Sequence, residues 1–143
     1  LIEWDDDVAM VSQDSNSGNA GIFTLSDTNW TRIWSTEGSI SSTVYADGQI
    51  FYSSLSADQT QYTLHCVNMN TETETVSEPW SEYITDLLII DGVGWVGAHW
   101  GWSDPSNSSP GLYRVDLDTC TVESHWPMEL APFSMVSNSD IEL

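Results

Sequence analysis

The chain has 143 residues, the length of one domain, and 22 acidic residues against two basic ones give it a net charge of −20. This charge repels phosphate backbones and anionic membrane surfaces, so nucleic-acid and membrane binding are not expected. No apolar run reaches the roughly 18 residues of a membrane span, while eight Trp, five Tyr and three Phe supply the apolar surface for a folded core.

The first third of the chain contains short stretches that predict β-strands. Val8–Val11 is an apolar run, Gly21–Asp27 resembles the later segment Gly111–Asp116, whose residues alternate between two faces, and a further short strand ends at Trp34. Alternation with a period of two indicates strands that bury one face. Val8–Val11 occupies the place of a second strand in the pattern described below, so we expect the chain to begin partway through a structural unit.

Two stretches in the middle of the chain share one pattern, 44 residues apart. Val44–Tyr52 and Leu88–Val96 each contain an apolar strand, an Asp-Gly pair and a second apolar strand. Asp-Gly between β-rich runs predicts a tight hairpin, because both central residues of the turn need positive φ. The strands predicted in these two regions are 42–46, 49–54, 62–69 and 74–77, followed by 85–90, 94–100, 111–117 and 121–124.

Three tryptophans give the length of the repeating unit. Trp34, Trp80 and Trp126 follow one another at intervals of 46 residues, and Leu64–Glu72 aligns with Leu112–Cys120. A unit of this length with four strands is typical of a β-propeller, in which small sheets stack around an axis to bury their faces on one another.

We therefore predict an all-β fold: a β-propeller segment of about three four-stranded antiparallel blades. The predicted units are 1–40, 41–83 and 84–130, with 131–143 as the start of a next blade.

The third unit resembles the repeats of pyrroloquinoline-quinone-type propellers. Asp91–Gly97 followed by Gly111–Thr119 is similar to their pattern Asp-Gly-x-Val-Tyr-Val-Gly, then Gly-x-Leu-Tyr-Ala-Leu-Asp-x-x-Thr-Gly. The resemblance implies a propeller fold, which many functions share. The glycine after the threonine is replaced here by Glu72 and Cys120, a departure that argues against the quinone-binding enzymes.

The C-terminal residues predict an incomplete blade. Phe133–Val136 is typical of a first strand, and Asn138 and Ser139 of the turn after it, so the chain is expected to end partway through a blade. Three units do not close a ring, since propellers have roughly 4 to 8 blades. The chain is then part of a larger propeller, or copies join head to tail as a homo-oligomer.

An aromatic cluster around residue 100 is the strongest local candidate for ligand binding. Trp100 and Trp102 would share a face, and Asp104 and Asn107 follow them, a combination that could stack on a sugar ring and bond its hydroxyls. The interpretation we favour is that these tryptophans belong to the core between blades.

The loop at residues 14–18 is a candidate calcium site. Asp14 and Asn16 place oxygen ligands at alternate positions before Gly18, the beginning of a calcium-loop pattern. A polar hairpin loop is the interpretation we favour, and no other cofactor is expected.

No nucleophilic or zinc motif is evident. The histidines, at 65, 99 and 125, show no metal-ligand spacing, and nothing in the sequence points to a serine-based triad. Cys66 and Cys120 occupy unlike repeat positions, so a free, buried Cys66 is favoured over a disulfide.

Composition and repeats together predict a non-catalytic binding or scaffold module with a protein or glycan partner. The near-absence of lysine among many Ser, Thr and Asn residues is typical of a secreted or cell-envelope protein. Two alternatives stay open: a carbohydrate-binding propeller assembled from several chains, and a fragment of a quinone-dependent or hydrolytic propeller enzyme.

Overall fold

All regular structure in the computed structural model is β, over the residues it describes: 2–4, 7–13, 19–26, 29–56, 58–100, 109–128 and 135. The strands are β1 (Ile2–Trp4), β2 (Asp7–Gln13), β3 (Asn19–Ser26), β4 (Asn29–Glu37), β5 (Ser39–Ala46), β6 (Gln49–Leu55), β7 (Tyr62–Asn68), β8 (Thr73–Val76), β9 (Tyr83–Ile90), β10 (Val93–His99), β11 (Gly111–Asp116) and β12 (Thr121–Pro127).

The strands form three four-stranded antiparallel sheets, each from consecutive strands. Sheet A contains β1–β4, sheet B contains β5–β8 and sheet C contains β9–β12. The prediction of an all-β chain built from four-stranded antiparallel units is confirmed. In sheets B and C every predicted strand begins and ends within three residues of the observed one.

The expectation that the chain begins partway through a unit is wrong, because sheet A already has its first strand. β1 pairs with β2 through the partners Ile2↔Ala9 and Trp4↔Asp7. A three-residue strand is too short to show alternation, and only two acidic residues separate it from β2 in the sequence. The predicted strand 133–136 and turn at 138–139 lie outside the described residues, apart from Met135.

Both Asp-Gly pairs form the predicted tight turns. Asp47 and Gly48 have φ of 53° and 75°, and Asp91 and Gly92 have φ of 52° and 73°. Two successive left-handed residues match the right-handed twist of the flanking strands, which is why this pair closes hairpins so well. These turns fix the pairing of β5 with β6 and of β9 with β10.

Sheet B is buried on both faces, because alternation along β6 and β7 sends apolar side chains to each side. Towards sheet C, Phe51 and Leu64 join a buried cluster with Val96 and Val115. Towards sheet A, the buried residues are Ile22, Ile50, Tyr52 and Val67. Sheet B therefore lies between sheets A and C, and its two faces hold the core together.

The contact between sheets B and C is close enough to need a glycine. A Cβ added to Gly94 would lie 2.8 Å from Leu117 Cδ2 and 3.1 Å from Phe51 Cε1. The first strands of the sheets are also neighbours: β5 contacts both β1 and β9. The amide of Met135 donates to Asp86 Oδ2 on β9 at 2.7 Å.

A disulfide joins sheets B and C, so the expectation of a free Cys66 is wrong. Cys66 in β7 bonds to Cys120 in the turn between β11 and β12, with a Cα–Cα distance of 5.7 Å. Unlike repeat positions do not prevent pairing here, because stacking brings the middle of a sheet B strand against a turn of sheet C. The bridge spans 54 positions of sequence, a loop whose closure stabilises the fold by about 4 kcal/mol in the chain-entropy account.

Glu72 and Cys120, which replace the glycine of the resembled repeats, both adopt left-handed backbone with φ of 54°. The backbone at this turn thus keeps the conformation that glycine favours even though the side chains differ. A non-glycine residue there costs about 1–2 kcal/mol.

Replacing Glu72 with glycine should therefore stabilise the protein by about 0.5–1 kcal/mol, since relief of the left-handed strain exceeds the entropy that glycine adds to the unfolded chain. Urea unfolding measures the change. The matched control is Glu78→Gly at another exposed glutamate, outside the positive-φ positions, which should lower stability. Equal destabilisation by both variants would contradict this account of the turn.

Candidate functional site

One residue of the predicted sugar platform lies within the described part of the chain. Trp100 follows β10 directly and is 40% exposed, so it is not part of the core that the described residues form. Trp102, Asp104 and Asn107 lie outside the described residues, as do the predicted calcium ligands Asp14 and Asn16. Among the described residues no group of three or more His, Cys, Asp or Glu is arranged to hold a metal ion.

A chain of polar side chains on sheet B is the best-defined site that the structure describes. It consists of Tyr52 and Ser54 on β6, His65 on β7 and Glu74 on β8. Tyr52 and His65 are direct cross-strand partners. Ser54 lies two residues beyond Tyr52, and Glu74 pairs with a residue two beyond His65, so alternation puts all four on the face towards sheet A.

The four side chains are joined by short hydrogen bonds. Ser54 Oγ lies 2.8 Å from His65 Nε2, and His65 Nδ1 lies 2.8 Å from Glu74 Oε1. The Tyr52 hydroxyl donates to the same carboxylate oxygen at 2.5 Å. The rings of Tyr52 and His65 stack at 4.3 Å between centroids with 6° between their planes. Hydrogen bonds and stacking together hold the imidazole in one orientation.

Burial sets the protonation of this chain. Desolvation lowers the pKa of His65 from its ordinary 6.5, and the hydrogen bond and charge of Glu74 oppose that shift only in part. Burial first, and then the bond to Glu74, raise the pKa of Tyr52, so the phenol remains a donor at neutral pH. A neutral imidazole that donates Nδ1–H to the carboxylate leaves Nε2 free to accept the proton of Ser54.

This arrangement has the connections of a nucleophile, a base and a group that orients the base. No sequence motif indicates this set, because Ser54, His65 and Glu74 lie on three different strands. The strand register is the signal that could have found the site. Pairing the predicted strands 49–54, 62–69 and 74–77 in the observed register brings the three side chains together, but that register depends on the lengths of the two connecting hairpins.

A second polar cluster lines a cleft of about 240 Å³ beside sheet C. Arg114 and Glu123 form an ion pair at 3.0 Å in which both side chains are more than 40% exposed, and Asp116 and Asp118 lie beside it. Exposed pairs of this kind are strongly screened by water. Backbone hydrogen bonds from Thr119 and Asp118 lower the pKa of Asp116, which identifies it as the residue that closes the turn.

Sheet C carries a stacked pair of tryptophans. Trp95 stacks on Trp126, with 5.8 Å between ring centroids, on the face of sheet C that points away from sheet B. Trp126 is 46% exposed there. Trp95 thus lies on the face of sheet C opposite to the core that sheets B and C share.

Comparisons with known proteins return no match: no family model and no curated protein is similar to the chain. The described residues contain no helix that is long and apolar enough to cross a membrane.

Replacing His65 with glutamine should reduce the pH dependence of stability. Because the pKa of folded His65 lies below 6.5, the unfolded chain takes up its proton first as the pH falls. The contribution of His65 to stability is therefore full above about pH 6.5 and is lost as the pH falls towards the folded pKa.

The measurement is urea unfolding of both proteins at about pH 7.5 and pH 5. Wild type should lose more free energy of unfolding between the two pH values than His65→Gln does. An equal loss in both proteins would contradict a folded His65 that resists protonation.

Proposed function

We propose that the chain is a β-propeller segment that serves as a binding or scaffold module in a secreted or cell-envelope protein. The observation that carries this proposal is the burial of sheet B between two like sheets, with the first strands of neighbouring sheets in contact. Stacked small sheets with adjacent first strands are the arrangement that successive blades need.

Repeat-equivalent positions support the need for a further sheet against sheet C. The amide of Trp80 donates to the Tyr62 carbonyl beside sheet B as the amide of Met128 donates to Pro110 beside sheet C, and Trp80 is 8% exposed against 43% for Met128. Leu64 is fully buried, whereas its equivalent Leu112 is only half-buried. The same positions are thus covered where a neighbouring sheet is present and open where none is.

The face of sheet A that points away from sheet B is equivalent to the face of sheet C that packs against sheet B. Phe23 and Leu25 are half-buried in β3, and their equivalents in sheet C, Tyr113 and Val115, are buried against sheet B. The open face of sheet A can therefore pack against the open face of sheet C in a second copy of the chain. Two copies joined in this way supply six four-stranded sheets, within the usual range for a propeller.

Charge works against this assembly and the apolar faces favour it. Two chains that each carry −20 repel one another, and salt screens that repulsion over about 10 Å at 0.1 M. Association of copies should therefore strengthen as salt is added, the opposite of an assembly held by ion pairs.

The proposed location and partner rest on fewer residues. The Cys66–Cys120 disulfide favours an oxidising compartment. A protein or glycan partner accords with the acidic surface, and the exposed Trp100 is the described residue that supports a glycan.

The test is the native mass, measured by light scattering and mass spectrometry at moderate salt. It compares wild type with a variant that carries a charge on the open face of sheet C. Wild type should exceed the chain mass of 15.9 kDa by association of copies. Trp126→Glu should weaken that association about 30-fold or more, the loss expected for a buried aromatic anchor.

Val122→Glu is the matched control, since Val122 lies on the same strand and is also 46% exposed. It should leave the association unchanged. A wild-type monomer at every salt concentration, with Trp126 freely quenched by acrylamide, would contradict the proposed need for a neighbouring sheet.

A further inference from the structure

The polar chain on sheet B has the geometry of an activated serine. Ser54 Oγ, His65 and Glu74 are linked by two contacts of 2.8 Å, which fall within the hydrogen-bond range that nucleophile and base require. The Tyr52 hydroxyl holds the carboxylate from its other side, and the Tyr52 ring stacks on the imidazole. The base is thus oriented by two neighbours.

The protonation of the chain suits proton transfer from serine. Burial keeps His65 neutral at neutral pH, and the Glu74 carboxylate accepts Nδ1–H, so the lone pair of Nε2 is directed at the Ser54 hydroxyl. When Nε2 takes that proton, the carboxylate stabilises the imidazolium that forms.

The site reaches solvent at the β8 edge of sheet B. The side chain of Glu74 is 31% exposed, and Val76, which pairs with His65, is 49% exposed. Ser54 itself is only half-buried, and the exposed Val76 beside His65 can contact the apolar part of a substrate. The charge of −20 disfavours anionic substrates and favours neutral or cationic ones.

We propose that Ser54 is a nucleophile with His65 as its base and Glu74 and Tyr52 as positioning residues, and that the site cleaves small neutral or cationic esters. This inference goes beyond the proposed binding or scaffold role and does not depend on the propeller assignment.

The chemistry is an acyl transfer in two steps. Ser54 Oγ forms a bond to the carbonyl carbon while its proton passes to His65 Nε2, and the alcohol then leaves with that proton as the ester bond breaks. Water attacks the acyl-serine in the same way, giving the carboxylic acid and restoring the serine hydroxyl. Every proton that His65 accepts is returned to a leaving oxygen.

A fluorophosphonate probe tests the nucleophile directly. Ser54 Oγ should bond to phosphorus as fluoride leaves, and the added mass should map to the peptide that contains Ser54. Ser54→Ala should abolish this label. His65→Gln should slow labelling about 100-fold or more, the usual share of a general base.

Glu74→Gln separates a positioning role from a structural one. With the fold intact by circular dichroism, it should slow labelling without preventing it, because the imidazole then loses its preferred tautomer. Ser81→Ala, at an exposed serine in the segment that leads into β9, is the matched control and should label at the wild-type rate.

A folded wild-type protein that takes up no label at Ser54 would overturn the proposal, as would a label that forms equally fast in His65→Gln. Either result would leave the stacking of the sheets untouched, because native mass and labelling report on different residues.

Discussion

The fold depends on one constraint: a four-stranded sheet with apolar side chains on both faces must be covered on both sides. In sheet B, Phe51 points to sheet C and the next residue, Tyr52, points to sheet A, and both are fully buried. Covering one face alone would leave about half of this apolar surface in water, at a cost of roughly 25 cal/mol per Å². The close approach at Gly94 and the Cys66–Cys120 bridge both serve the contact with sheet C.

The same constraint explains why the polar chain is so well ordered. Tyr52 supplies apolar ring surface to the cluster between sheets A and B, and its hydroxyl ends at Glu74. A phenol and an imidazole brought into a packed interface must find hydrogen-bond partners there or lose stability. Ser54, His65 and Glu74 provide them for one another. The contact that builds the core is thus also the contact that aligns a potential nucleophile with its base.

The sequence predicts much of the fold because the signals are local. Asp47-Gly48 and Asp91-Gly92 identify their own turns, and alternation identifies the strands on either side. The N-terminal strand β1 is missed because three residues are too few to alternate. The Cys66–Cys120 bridge is missed for another reason: it depends on how two sheets stack, and no local pattern encodes that.

The candidate site could not be predicted from the sequence, because it too depends on contacts between distant residues and not on a local pattern. Ser54, His65 and Glu74 meet only through the register of three strands, and a shift of one residue would send them to opposite faces. The lengths of the two hairpins determine which residues of the three strands pair, and therefore whether these side chains meet. The open face of sheet C, by contrast, is evident once the equivalent positions Leu64, which is buried, and Leu112, which is half-buried, are compared.

Nuclear Overhauser contacts between the ring protons of Phe51 and the α-protons of Gly94 test the stacking of the sheets most directly. The account predicts strong cross-peaks, because the Phe51 ring lies against the backbone of β10. Cross-peaks between Phe51 and its strand partner Cys66 serve as the internal reference. Detection of the reference peaks without any between Phe51 and Gly94 would mean that the sheets form but do not stack, and would contradict the account.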